Sequence, residues 1–230
     1  MTTLSEVILI GLLLVNLALA GASRLYHCIK LTALAGLLLA ILPLALWHEG
    51  NLPDSEVWIN AVLNFGIKAL VLPWLLTLAM RHAGVRRELE PLVGYASSVT
   101  LVFLLTAGAF AICRMLDLTS GSAAKLAAPT ALATMLTGLF IIVARKKAIT
   151  QVIGFLTFEN GVAIFGAGMM LDAGVVVELG ILLDVLVLVF VMGIAVFEIN
   201  REFEHIDADR LNRLGDWTVS SDAPDEAEEK

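Results

Sequence analysis

Apolar residues are gathered into long runs along this chain, and most charged residues of its first 198 positions fall in short breaks between the runs. A helix needs about 20 mostly apolar residues to cross a hydrocarbon core of about 30 Å. The runs lack the strand alternation of a barrel, and a spanning segment must satisfy its own backbone, so helices are predicted. Seven runs have the required length: about residues 3–23, 27–47, 57–80, 93–114, 126–144, 149–171 and 174–198.

The basic residues between the runs are sorted unequally, which predicts the orientation of the chain. The break after the fourth run carries Arg114 and Lys125, and the breaks after the second and sixth runs carry no Lys or Arg. The remaining breaks and the carboxyl-terminal segment carry Arg24, Lys30, Arg81, Arg86, Arg87, Arg145, Lys146, Lys147, Arg201, Arg210 and Arg213. Because cytoplasmic loops hold the excess of Lys and Arg, we predict an outside amino terminus and a cytoplasmic carboxyl terminus.

The composition is typical of a membrane protein, and the distribution of charge divides the chain into two parts. Apolar residues make up 59% of the chain, above the roughly 45–50% that is typical of soluble domains. The net charge of −7 falls within the last 33 residues, because residues 1–197 carry equal numbers of acidic and basic side chains. We therefore predict an all-α, polytopic transmembrane bundle over residues 1–198 and an acidic cytoplasmic tail over residues 199–230.

The same pattern excludes several classes of protein. It excludes a soluble globular enzyme, a nucleic-acid binder with a basic face and a disulfide-stapled secreted domain. Cys28 and Cys113 form no CxxC pair and carry no metal motif. The histidines fall at the ends of runs or in the tail, which disfavours a haem-b subunit, and the last run has no lysine for a retinal Schiff base.

Three ionisable side chains nevertheless fall deep within the predicted spans. Lys68 is near the centre of the third run, Glu159 near the centre of the sixth and Asp184 near the middle of the seventh. Glu178 precedes Asp184 by six residues, about 9 Å nearer the outer face. Such groups are costly in a bilayer and usually mark an ion path or a buried pair.

Two interpretations of these charges follow. Burial favours the neutral forms of carboxyl and amine groups, so Lys68, Glu159 and Asp184 at similar depth suit a proton relay, with Glu178 as a further candidate. Alternatively, Lys68 forms a static ion pair with Glu159 or with Asp184. Three groups for one pair leave one acid over, which favours a relay or a shared proton.

Small and polar residues add detail to the spans. Pro73 follows Lys68 by five residues and would free the carbonyl of Ala69, so a helix break or bend is predicted there. Small residues in the sixth span predict close packing with another helix, namely Gly161, Gly166 and Gly168. Four asparagines could bond between helices or line a wet path: Asn16, Asn60, Asn64 and Asn160.

The last three runs resemble a known family. The basic loop Arg145-Lys146-Lys147 and the stretches Ile153–Gly161 and Val177–Val187 look like the E component, a membrane protein, of hydrogenase-4-type complexes (group 4 energy-converting hydrogenases). The likeness continues through residues 190–197 and 206–211, and it is most specific over residues 145–212. Length and the seven-span layout fit too, so the resemblance covers nearly the whole chain.

Over residues 145–198 that family is similar to the K subunit of respiratory complex I and the C subunit of multi-subunit cation/proton antiporters. Leu156 holds the position of the K subunit's first buried glutamate, and Glu159 lies three residues further along. Three residues make nearly one helical turn, so the carboxylate keeps about the same face, shifted by about 4.5 Å. The second acid is Asp184 rather than glutamate.

The resemblance implies a non-catalytic, proton-conducting or coupling subunit of an energy-converting complex in the inner (cytoplasmic) membrane of a bacterium or archaeon. The implied partners are antiporter-like membrane subunits and a cytoplasmic, hydrogenase-like redox arm. Nickel–iron and iron–sulfur centres would belong to those partners, and no cofactor is expected in this chain. Two alternatives stay open: a structural membrane anchor with a static ion pair, and a subunit of a cation/proton antiporter.

Overall fold

The helices account for all regular structure in the described part of the chain. The computed structural model describes residues 2–46, 58, 61–62, 64–82, 93–118, 125–145, 147–168 and 193. In chain order the helices are α1 (Thr2–Gly21), α2 (Leu25–Leu46), a π-helical segment (Phe65–Val71) continuing as α3 (Leu72–His82), α4 (Tyr95–Met115), α5 (Ala127–Ala144) and α6 (Ala148–Gly168). The prediction of an all-helical chain is confirmed for these residues.

Among the described residues, five helices are long and apolar enough to cross a membrane, namely α1, α2, α4, α5 and α6, so the chain has the character of a multi-pass membrane protein. Their ends agree within a few residues with the first, second, fourth, fifth and sixth predicted spans. The third predicted span, 57–80, contains a shorter apolar helix, Phe65–Leu78. The seventh, 174–198, and the tail, 199–230, lie outside the described residues, apart from the helical residue Gly193.

Two apolar clusters hold the helices together at different levels of the bundle. The first joins the α1–α2 turn to α3 and to the α5–α6 turn, and includes Leu25, Leu76 and Leu156. The second joins the other halves of α1, α2, α5 and α6, and includes Leu12 and Ile164. Along α6, the stretch between these clusters is therefore the middle of the bundle.

Among the described helices, α5 and α6 form the most closely packed pair, because glycines remove side chains from their interface. A Cβ at Gly161 would lie 2.7 Å from the backbone nitrogen of Met135, and one at Gly154 would lie 2.9 Å from that of Ile142. Gly168 similarly faces Ala127 across the hairpin. Glycines at 154, 161 and 168 recur every seven residues, which keeps one face of α6 against α5.

The outward faces of the bundle carry large apolar side chains. Examples are Val7 and Leu14 on α1, Phe103 and Leu104 on α4, and Val143 on α5, each more than half exposed. A hydrocarbon environment accepts such side chains, whereas water opposes their exposure. This distribution suits helices that are surrounded by lipid.

Candidate functional site

The structure brings Lys68 and Glu159 into direct contact inside the bundle. The Nζ atom of Lys68 lies 2.6 Å from Oε1 of Glu159, and their side chains are only 4% and 1% exposed. The sequence left open whether Lys68 pairs with Glu159 or Asp184. Within the part of the chain that the structure describes, the partner is Glu159.

Glu159 is positioned by the close packing of α6. It lies between Leu156 of the first apolar cluster and Ile164 of the second, eleven residues into a helix of 21 residues. At 1.5 Å per residue the carboxylate is therefore about 16 Å from the start of α6. The glycine face of α6 packs on α5, and α6 also contacts α2.

Lys68 comes from an irregular stretch of helix. Residues Phe65–Val71 form a π-helix, in which the backbone N–H of Leu72 bonds to the carbonyl oxygen of Ile67, five residues earlier. Pro73 follows at once and has no N–H with which to continue this pattern. The chain then proceeds as the α-helix α3, so it remains helical through the predicted break at Pro73. Such π-helical turns recur at functional sites.

Helix α2 packs against the backbone of this π-helical segment at Gly36. A Cβ at Gly36 would lie 2.8 Å from the carbonyl carbon and oxygen of Lys68 and 3.0 Å from the backbone nitrogen of Ala69. Real Cβ atoms do not approach that closely, so only glycine allows this contact. Gly36 thereby fixes the distance between α2 and the backbone that carries the lysine.

Mutual neutralisation explains how these charges are tolerated at this depth. An isolated buried ion loses its hydration at a cost of roughly several kcal/mol even after relaxation, whereas a paired ion recovers much of that energy. The pair is therefore an energetically sensitive element: moving, protonating or removing either partner leaves the other charge exposed to a low dielectric. That sensitivity makes the pair a candidate charge-responsive site.

The other predicted site residues have different outcomes. Asp184, Glu178 and Asn60 lie outside the described residues. Asn160, the residue after Glu159, is buried, and so is Gly166 further along α6. Asn64 directly precedes the π-helical segment and is half-buried. The remaining asparagine, Asn16, donates from Nδ2 to Oγ1 of Thr134 at 2.9 Å, which links α1 to α5.

Sequence reasoning missed several residues that shape this region. Gly36 gives no signal by itself, because its importance depends on which backbone lies opposite. Gly154 could have been found by its seven-residue spacing from Gly161 and Gly168. In the sequence Arg145 has only the features of a loop cation, although its side chain is 5% exposed in the structure. Among the described residues, His, Cys, Asp and Glu side chains form no group of three that could hold a metal ion.

Comparison with known proteins shows that the chain is similar in sequence to a mycobacterial protein. No family model matches the chain, and no solved structure matches it. Over 210 residues the chain is 37% identical to the "Uncharacterized protein Rv0085" of Mycobacterium tuberculosis (strain ATCC 25618 / H37Rv). The alignment covers 90% of this chain and 93% of the relative. The chain therefore belongs to the same protein family as Rv0085.

Proposed function

We propose that the chain is a proton-conducting or coupling membrane subunit of an energy-converting complex related to hydrogenase-4-type complexes and to respiratory complex I. The observation that carries the proposal is the buried ion pair of Lys68 and Glu159, 2.6 Å apart in the middle of the helix bundle. Support from the sequence comes from the resemblance of residues 145–212 to the E component of hydrogenase-4-type complexes.

In this proposal the chain has seven spans, an outside amino terminus and a cytoplasmic carboxyl terminus in a bacterial or archaeal inner membrane. Its partners are antiporter-like membrane subunits and a cytoplasmic redox arm, which holds any nickel–iron or iron–sulfur centres. The chain itself performs no redox step. Its contribution is to move or respond to charge.

The proposed chemistry depends on the high energy of a buried charge that has lost its partner. A proton that arrives at the Glu159 carboxylate neutralises it and leaves the Lys68 ammonium without its counter-charge at that depth. The ammonium then favours a second carboxylate or loses its own proton. Asp184, which the sequence places near mid-membrane in the next span, is the proposed second carboxylate, and Glu178 is a later group nearer the outer face.

A test uses the assembled complex in inverted membrane vesicles, with proton uptake and redox turnover measured separately. We expect Glu159→Gln, Lys68→Met and Asp184→Asn each to assemble and to lose most proton uptake per electron transferred. Arg114→Gln is the matched control, because Arg114 is an exposed cation at the end of α4. Intact proton uptake in all three variants would remove the relay role.

The contact itself favours a second candidate, a structural anchor in which the ion pair is static. The two candidates differ in the double variant Lys68→Met with Glu159→Gln, which removes both charges together. A static anchor tolerates this change, because no unpaired charge remains and assembly and pumping continue. A relay loses proton uptake even when the complex assembles normally.

A further inference from the structure

Arg145 has an unusual environment for a residue at the end of a predicted span. It directly follows α5, yet its side chain is only 5% exposed. Its Nη2 donates to the carbonyl oxygen of Ala20 at 3.0 Å, and its Cζ lies 4.9 Å from the ring centroid of Tyr95. Its Nη1 is buried and makes no hydrogen bond within the described part of the chain.

The charge of Arg145 has no carboxylate near it among the described residues. These residues include three acids, Glu6, Asp117 and Glu159. Glu159 pairs with Lys68. Glu6 is near the start of α1 and Asp117 follows the end of α4, whereas Arg145 contacts the end of α1 and the start of α4. Both acids therefore lie at the opposite end of the bundle.

Three further cations lie at this end, namely Arg24, Lys30 and Lys147, and together with Arg145 they define what we call the basic end. The carbonyl of Ala20 belongs to the last turn of α1, whose helix dipole offers only about half of a negative charge. A buried guanidinium with one open donor, and with no full counter-charge from the described residues, favours binding of an anion.

A cavity at the basic end reaches Arg145 and has two kinds of wall. Its polar wall comes from Arg145, Ser23 and Thr150, and apolar side chains such as Leu19, Leu25 and Ile153 form much of the rest. The enclosed space is about 10 Å³, which admits about one oxygen-sized group. The walls therefore suit an amphipathic ligand that inserts one anionic oxygen and leaves its apolar part at the mouth.

We propose that this cavity binds the phosphate of an anionic phospholipid, with one phosphate oxygen accepting a hydrogen bond from Nη1 of Arg145. The lipid source is favoured over a free anion because the lining is largely apolar, and a lipid can keep its glycerol and acyl carbons at the mouth while one anionic oxygen enters. Basic pockets between membrane helices commonly hold anionic headgroups. At the same end, the Nζ atom of Lys30 lies over the ring of Tyr26, 4.6 Å from the ring centroid. Aromatic and basic side chains together are typical of the headgroup region of a membrane.

The test is a native mass spectrometry titration of the full chain in detergent, with phosphatidylglycerol and phosphatidylcholine of identical acyl chains. We expect one tightly retained phosphatidylglycerol, bound about tenfold more tightly than phosphatidylcholine, because the choline ammonium cancels the headgroup charge that the cations of the basic end attract, at about 1 kcal/mol per cation. Inorganic phosphate at millimolar concentration should not displace it. Displacement would identify a free-anion site and overturn the lipid assignment.

Three variants locate the binding. Arg145→Gln should abolish the preference for phosphatidylglycerol. Ser23→Phe, at a position that lines the cavity, should also abolish it while leaving Arg145 in place, which keeps the test informative if Arg145→Gln fails to fold. Arg114→Gln, an exposed arginine at the opposite end, should bind as the unaltered chain does. Equal binding of both lipids, or an undiminished preference in Ser23→Phe, would refute the proposal.

Discussion

Gly36 of α2 lies against the backbone of Lys68, so closely that a Cβ at position 36 would come within 2.8 Å of the lysine's carbonyl carbon and oxygen. Because of this contact, the position of a buried charge depends on the absence of one methyl group on a neighbouring helix. Because the obstacle is backbone rather than a flexible side chain, it cannot be relieved by a change of rotamer.

The first prediction follows from that contact. Gly36→Ala should displace α2 from the π-helical segment and lower the unfolding free energy by about 1–3 kcal/mol, as overpacking of a tight interface does. Gly66→Ala is the matched control, since a Cβ at Gly66 meets nothing within 4 Å. Alanine there should be neutral or stabilising, because it is the better helix former by up to about 1 kcal/mol. Thermal unfolding in detergent measures both, and equal behaviour would contradict the close contact.

The second prediction concerns the ion pair itself. Lys68→Met and Glu159→Gln should each destabilise the bundle, by as much as about 3–5 kcal/mol where one uncompensated charge stays buried. The double variant should lose less than the sum of the two single losses, because it leaves no unpaired charge. A double-mutant cycle on unfolding in detergent supplies the coupling energy. A coupling energy near zero would mean that the two side chains do not interact.

A third prediction tests the glycine face of α6. Gly161→Ala should weaken the α5–α6 hairpin by about 1–3 kcal/mol, since its Cβ would lie 2.7 Å from the nitrogen of Met135. Gly108→Ala, in α4, is the control, because a Cβ there meets nothing within 4 Å. Unfolding in detergent should separate the two variants. If Gly161→Ala were as stable as Gly108→Ala, the hairpin could not be packed this closely.

A fourth prediction addresses the bond between α1 and α5. Thr134→Val removes the acceptor of the buried Asn16 amide while keeping the volume of the side chain, and should cost about 0.6 kcal/mol, up to about 1.7. Thr100→Val is its control, because that exposed hydroxyl bonds to the carbonyl of Ala96 in its own helix. The difference in unfolding free energy between these variants measures the interhelical bond. No difference would show that Asn16 finds another partner at no cost.

The order of apolar and polar residues by itself determined the helical class and the positions of the spans. A segment spans a bilayer when it is long and apolar enough and when its backbone N–H and C=O groups are hydrogen-bonded within the segment. Both conditions can be assessed from the order of residues alone. Five predicted spans therefore agree with helices long and apolar enough to cross a membrane. The residue order also identified Lys68 and Glu159 as charged side chains near the centres of predicted spans, because depth within a span follows from counting residues along the helix.

Only the tertiary structure decided which groups meet. The depth of Lys68 fits either Glu159 or Asp184, and the choice depends on which helices are neighbours and how each is rotated about its axis. The same holds for Gly36, whose role exists only because the backbone of Lys68 lies opposite, and for Arg145, whose burial comes from the converging ends of α1 and α4. Contacts between residues distant in sequence depend on these rotations, and composition and periodicity leave them undetermined.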